Sequence, residues 1–335
     1  MKRFILVPFI FLTLLSSNFA LANGNLSIKI TPRFELANGI INEYVFDEAC
    51  LNTDNKESQL AWDLKTIPVF GFNADIELHR YVHIDINGSA GIPTRSGYMQ
   101  DYDWLNSIGS TIGYPEWELE NNPTELTNYS KHENTLKKYI TFTASLGGNI
   151  YLPARITLTP KIAYQYEFIA FDGKNGFNIY KSNKYQKYDY TDKVISYAQE
   201  FNSMLLGLTV NISTLPQMFF TADFMISPKM TFLNALDYHY KPRIFYPYGI
   251  AFWDNFTNLF QLQSNITAQY KFNKYHQIGL TGFIQYIPLQ KGNTRSNSLT
   301  KDQVHAPSGW TDAYINGGGT SRLIWSLGLN YSFSL

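Results

Sequence analysis

The chain has 335 residues, with 27 Lys and Arg set against 27 Asp and Glu, and a single Cys. That balance gives no footing for a nucleic-acid partner, and one thiol excludes an intramolecular disulfide framework. Charged and aromatic residues each make up 16% of the sequence, whereas charged residues alone reach about a quarter of an ordinary soluble domain.

The first element is the run MKRFILVPFIFLTLLSSNFALAN. Lys2 and Arg3 form a basic start, Phe4 to Leu15 an apolar stretch, and Ala20-Leu21-Ala22 a small-residue cleavage site. Residues 1–22 are expected to be an export signal, with Asn23 opening the mature domain, 23–335. The apolar stretch is too short to cross a bilayer, and nothing after Ala22 approaches the ~18 apolar residues a spanning helix needs. No Cys follows the cleavage site, which argues against a lipid anchor, and Cys50 is read as incidental.

From residue 26 onward the chain alternates. In FQLQSNITAQYKF, Phe260, Leu262, Ile266, Ala268, Tyr270 and Phe272 occupy even positions, and amides, hydroxyls and Lys271 the odd ones. A period of two with one apolar face marks β-strands. Ten such segments follow one another: 26–46, 58–78, 81–95, 136–151, 155–173, 194–213, 218–240, 256–273, 276–291 and 321–335. Short turns at His79–Arg80, Leu152–Pro153, Thr214–Gln217 and Asn273–Tyr275 alternate with long connections at 47–57, 96–135, 174–193, 241–255 and 292–320. An even strand number, short turns at one end and long loops at the other predict a ten-stranded antiparallel transmembrane β-barrel. Closure is what satisfies strand backbones in lipid. A soluble sandwich fits less well, because one face is rich in aromatic side chains and the other in amides and hydroxyls.

Crossing the bilayer takes only ~9–11 tilted residues, so strands near twenty residues extend beyond it on the long-loop, extracellular side. Two polar pairs fall there. Asp101 and Asp103 in GYMQDYDW lie about twenty residues past the His79–Arg80 turn, or roughly 45 Å up against an apolar band of ~25 Å. Asp237 and His239 in LDYHYKP lie as far past Thr214–Gln217. Within each pair the i, i+2 spacing puts both side chains on one face. Odd positions face the lumen in both strands, so all four are expected to point inward, unless Pro93, Gly97 or Pro228 shifts the phase. Taken alone, Asp101 and Asp103 also suit solvated loop carboxylates or Ca²⁺ ligands, and Asp237 and His239 ordinary lumen polarity.

The motifs QLAWDL (59–64), GYMQDYDW (97–104), SKHENT (130–135) and LDYHYKP (236–242) resemble the omptins, ten-stranded outer-membrane proteases of Gram-negative bacteria. The resemblance implies an endopeptidase facing the cell exterior, acting on peptides or proteins with no metal or other cofactor. Its water would be activated by His239, oriented by Asp237, and shared with Asp101, with Asp103 tuning the charge. Ser130 and His132 lack the oriented third partner of a nucleophilic serine and are expected beside the site rather than as its nucleophile and base.

Departures from the family concern selection and lipid. Glu43, in NEYVFD, matches an acid that favours basic residues next to the cleaved bond. Two other acidic positions are Ala235 and Asn128, and their loss is expected to weaken that preference, since a buried charge pairing contributes on the order of a few kcal/mol. Family arginines that grip lipid phosphates are Phe168 and Glu200 here, so dependence on lipopolysaccharide is expected to be weak or absent. The run SIGSTIGYPEWELENNPTEL (107–126) reads as an insertion that narrows the mouth or binds a surface. The barrel is expected to be a monomer among outer-membrane lipids. The competing readings are an inactive adhesin on the same scaffold and a small pore, the latter disfavoured because barrels of this size fill their lumens.

Overall fold

The computed structural model describes residues 26–47, 56–104, 126–180, 184–241, 246–302, 304 and 309–334. The expected export signal, Cys50 and all but the last residue of the 107–126 insertion lie outside them. Twelve strands run β1 (Leu26–Phe46), β2 (Lys56–Leu78), β3 (Val82–Gly91), β4 (Thr94–Asp103), β5 (Asn128–Gly148), β6 (Ile150–Leu152), β7 (Ile156–Tyr180), β8 (Lys187–Leu215), β9 (Met218–His239), β10 (Ile250–Lys271), β11 (His276–Ser298) and β12 (Tyr314–Ser334). They build ten staves, because β3 and β4 are two halves of one wall element and β6 is the broken tip of β5. The first and last strands pair along most of their length, Arg33 with Asn330 and Glu43 with Thr320, and this closes the ring. Every stave then has two neighbours, as an apolar surrounding requires.

The alternation read from the sequence sorts the side chains. Phe34, Phe70, Phe142, Ile162, Leu206, Phe224, Ile266, Leu280 and Leu327 stand on the outside as an apolar belt. Glu35, Gln165, Gln269, Thr281 and Ser326 are buried in the lumen. Toward the short turns the lumen is charged and paired, with Lys29 at 3.2 Å from Asp75 and Lys161 between Asp223 at 3.0 Å and Asp85 at 3.6 Å. A polar cavity of about 560 Å³ opens among these residues. Higher up, Arg322 is ion-paired with Glu167 and lies over the Phe201 ring.

Above that pair an apolar layer crosses the lumen. Trp62 is sandwiched between Phe171, with ring centroids 5.7 Å apart, and Tyr197, at 5.5 Å. Ile41, Leu64, Met99, Leu136, Ile195, Leu233 and Phe256 pack around them, all buried. The barrel is thus filled rather than hollow at this level, which removes the basis for a pore.

The strands are longer than their sequence patterns and the connections correspondingly shorter. The expected loop 96–135 is strand up to Asp103 and again from Asn128, and the expected loop 174–193 is strand up to Tyr180 and again from Lys187. Beyond the lipid the strands have polar residues on both faces, so period two fades there while the backbone ladder continues. The sequence places these rim residues in loops, and their structure corrects that.

Candidate active site

Asp101 and Asp103 reach the lumen through two compensating irregularities. In β3 the odd residues face inward and pair with lumen residues of β5. After the Ile92–Pro93 break the inward residue is Thr94, an even one, opposite Leu136. A bulge between Arg95 and Tyr98 then inserts one extra residue, with Gly97 at φ +78°. Met99, Asp101 and Asp103 are inward again, opposite His132, Ser130 and Asn128. On the other wall the Pro228 irregularity adds two residues relative to β10, between Ser227 and Thr231, so parity survives and Ala235 and Asp237 stay inward.

One rung of paired residues therefore runs Thr320, Glu43, Leu60, Asp101, Ser130, Asn178 around one side of the mouth. Ser58 Oγ donates to Asp101 Oδ1 at 3.3 Å, and Asn128 Nδ2 to Asp103 Oδ2 at 3.3 Å. The Tyr180 phenol is pushed up to about 12 by burial, and the negative charges of Asp101 and Asp103 add to that. His132, 2% exposed, donates its Nδ1 proton to the backbone oxygen of Asn175, and burial lowers its affinity for a second proton.

Across the mouth, His239 Nε2 lies 2.5 Å from Asp237 Oδ2. A carboxylate only accepts, so Nε2 carries the proton and the imidazole lone pair is on Nδ1. The ring stands edge-on to Phe252, 5.6 Å between centroids, and Asp237 is buried while His239 keeps partial exposure.

Two contacts draw the walls together. Tyr197, stacked on Trp62, is the rung partner of Asp237, while Trp62 sits one step below Leu60 and Asp101. Gln199 of β8 donates to Thr320 of β12 at 3.2 Å, and Thr320 is the rung partner of Glu43. Glu43 consequently holds its proton well above the usual carboxylate range, first through burial and then through Asp237, Asp254 and Asp101. The Lys241 ammonium adds to the lowering of His132. Of the residues named from the sequence, Asp101, Asp103, Asn128, Ser130 and His132 share one side of the cup with Glu43, and Ala235, Asp237 and His239 face them.

Sequence reasoning missed Asp254. It lies on β10 directly opposite Ala235, is 4% exposed, and burial pushes its carboxyl up to about 7, with the Asp237 charge adding to the shift. Parity along FQLQSNITAQYKF would put it outside, because Leu262 and Ile266 are even. Irregular pairing around Asn258, at φ +67°, reverses the phase and turns Asp254 inward. No signal in the alternation marks it.

On the outer wall Phe168 and Glu200 sit side by side in register, with the Lys138 ammonium 5.0 Å from the Phe168 ring. Among the described residues no cluster of His, Cys, Asp and Glu is arranged to hold a metal ion.

A closed, belted barrel whose lumen is sealed below a carboxylate- and imidazole-lined cup defines an outer-membrane-type barrel built around a cup rather than a channel. The Omptin family model matches residues 25–333, and the chain belongs to that family. It is 23% identical over 206 residues to the plasminogen activator of Yersinia pestis, a match spanning 59% of this chain and 61% of that protein, less than two thirds of its length. Its fold is similar to the crystal structure of the outer membrane protease OmpT from Escherichia coli, with a TM-score of 0.77 at 19% identity over 92% of this chain and 97% of that one. Family and fold together put the barrel in a bacterial outer membrane.

Proposed function

We propose that this chain is an endopeptidase of the outer membrane that hydrolyses peptides or proteins entering the cup from the cell exterior. The observation that carries the reading is the Asp237–His239 hydrogen bond on the lumen face of the mouth, with Asp101 on the wall it faces. A water held between His239 and Asp101 loses a proton to imidazole Nδ1 as its oxygen adds to the scissile carbonyl carbon. Asp237 stays ionised and stabilises the imidazolium so formed. When the tetrahedral intermediate collapses, that proton passes to the departing amine nitrogen and the C–N bond breaks. Asp101 orients the water by accepting its other O–H, and Asp103 adds negative charge behind it. Ser58 and Asn128 hold these two carboxylates in place. The apolar layer below keeps bulk water from rising through the lumen.

The relatives named a protease and a plasminogen activator support hydrolysis of a protein substrate. The test refolds the mature barrel in detergent and offers a mixed peptide library, alongside Asp101→Asn and His239→Ala. Cleavage by the parent that is lost in both variants is the expected result. Peptide binding unchanged in all three forms with no cleavage by any would replace the enzyme with an adhesin on the same scaffold.

A further inference from the structure

Hydrolysis of a peptide puts negative charge on the carbonyl oxygen as the tetrahedral intermediate forms. In this cup that oxygen would sit among Asp101, Asp103 and Asp237, and like charges in a confined site repel. Enzymes meet an oxyanion with N–H or O–H donors aimed at it. The strand N–H groups of a closed barrel are taken up by neighbouring strands, so the walls offer side-chain donors instead.

Tyr190 of β8 is placed to be one. Two register shifts, at Gly173/Lys174 and Lys174/Gly176, bring it opposite Gly176, which has no side chain beside the ring. Asn178 Nδ2 donates to the Tyr190 oxygen at 2.6 Å. Asn178 is buried and pairs with Ser130, itself the rung partner of Asp101. The amide holds the phenol by an oxygen lone pair, which leaves the O–H to donate elsewhere. Among the described residues no acceptor takes that proton.

The ring also meets the strand of the dyad. Past the end of β9 the chain stays against β8, with the Tyr240 N–H donating to the Val194 oxygen at 2.9 Å. Tyr238 and Tyr240 stack on each other on the outer wall, and alternation carries Lys241 onto the face of His239. The Lys241 ammonium lies 4.6 Å from the Tyr190 ring centroid, and the His132 ring 6.0 Å from it. Among the described residues no carboxylate forms an ion pair with Lys241. Tyr190 thus spans from the rung of Asp101 to the strand of His239, the interval in which a carbonyl attacked by their shared water has to lie.

We infer that the Tyr190 hydroxyl is the donor to the oxyanion of the tetrahedral intermediate, with the Lys241 ammonium as the positive charge beside it, a role that rests on the proteolytic reading above. As the water oxygen adds to the carbonyl carbon, the C=O π pair moves onto oxygen. The Tyr190 O–H hydrogen-bonds that oxygen and keeps its proton. When the C–N bond breaks, the pair returns to the carbonyl and the hydrogen bond weakens again. Tyr190 touches a reacting atom, whereas Asn178 is a positioning residue that fixes the phenol.

The experiment compares the refolded mature barrel with Tyr190→Phe, which keeps the ring and removes the hydroxyl, and with Lys241→Met. Cleavage of one good peptide is followed at steady state. In parallel, inhibition is measured with the same peptide carrying a phosphinate at the scissile position, an anionic tetrahedral mimic of the intermediate. Tyr190→Phe is expected to lose about 10²–10³-fold in kcat with little change in KM, and to bind the phosphinate more weakly by a similar factor. Lys241→Met is expected to lose less on both counts, and parental values there would remove the cation from the assignment. Parental kcat or parental phosphinate affinity in Tyr190→Phe would overturn it and leave the protease standing. An equal loss of affinity for the phosphinate and for a non-cleavable reduced-amide peptide would make Tyr190 a general binding residue and overturn it as well. No cleavage by the parent would remove the protease and the oxyanion donor with it. A heat-modifiability gel shift confirms that both variants are folded.

Discussion

Trp62 of β2 and Tyr197 of β8 stack across the lumen, ring centroids 5.5 Å apart and planes within 12°. Each is one register step or less from a residue of the proposed catalytic set, Asp101 on one side and Asp237 on the other. The stack is therefore both the floor of the cup and the brace that fixes its width. Aromatic pairs of this kind contribute about 0.5–1.5 kcal/mol beyond the area they bury.

Replacing Trp62 with Ala removes the middle ring of a three-ring stack. Unfolding free energy is expected to fall by about 3–5 kcal/mol, the range for a large buried aromatic. Urea unfolding in detergent micelles measures it. An unchanged midpoint would mean that the rings are not braced against each other.

Gly97 is expected to tolerate no side chain. Its φ of +78° is left-handed, and an added Cβ would meet the Asp63 carboxylate at 2.8 Å. Gly97→Ala should cost about 1–3 kcal/mol of strain and lower kcat more than it raises KM, because the bulge sets the inward phase of Asp101. A variant with parental kcat and parental stability would contradict this reading of the bulge.

Asp237→Asn tests the dyad. The amide can present its N–H to the imidazole, which turns or re-protonates the ring and removes the charge that stabilises imidazolium. A loss of about 10²–10⁴ in kcat is expected, by analogy with triad aspartates, with KM nearly constant. Steady-state kinetics on one good peptide decide it.

Selection for a cationic side chain is expected to depend on pH. The Asp254 carboxyl is raised to about 7 by burial and by Asp237, and Glu43 is raised too. A raised carboxyl is charged only above its folded value, so Asp254 is neutral in mild acid and ionised at alkaline pH, and burial shifts Glu43 in the same direction. The ratio of kcat/KM for Lys over norleucine peptides should rise from pH 5.5 to 8.5, the Asp254 step centred near its raised value. For stability the sign is the opposite. The folded state binds these protons more tightly than the unfolded chain, so their contribution is largest at low pH and is lost as pH rises through the folded value. A flat ratio across that interval would exclude titration of Asp254 as a source of the selection.

Lipid dependence is the last prediction. Phe168 and Glu200, side by side on the outer wall, offer a ring and a negative charge, whereas tight phosphate binding draws on guanidinium groups. The detergent-refolded barrel is expected to cleave peptide at the same rate with and without rough lipopolysaccharide. Activation of several-fold or more on adding it would show that another part of the wall, such as the Lys138 side chain over Phe168, carries the contact.

The sequence by itself determined the barrel. Strict alternation in the lipid-spanning parts of the strands, as in residues 260–272 and 321–334, is imposed by apolar lipid on one side and a wet lumen on the other. It also determined the i, i+2 pairing of Asp237 with His239, because spacing along one strand is a covalent fact. What only the tertiary structure decided is how those faces continue past the membrane. There both surfaces are polar, and single-residue bulges at Gly97 and near Asn258 flip parity without a hydrophobic pattern to record it. That is why Asp101 kept its predicted face only through two cancelling shifts, and why Asp254 was invisible until β10 was paired with β9. Proximity across a lumen is a property of ring closure, in which side chains far apart in sequence, Trp62 and Tyr197 or Gln199 and Thr320, meet because the barrel's diameter leaves them nowhere else to go.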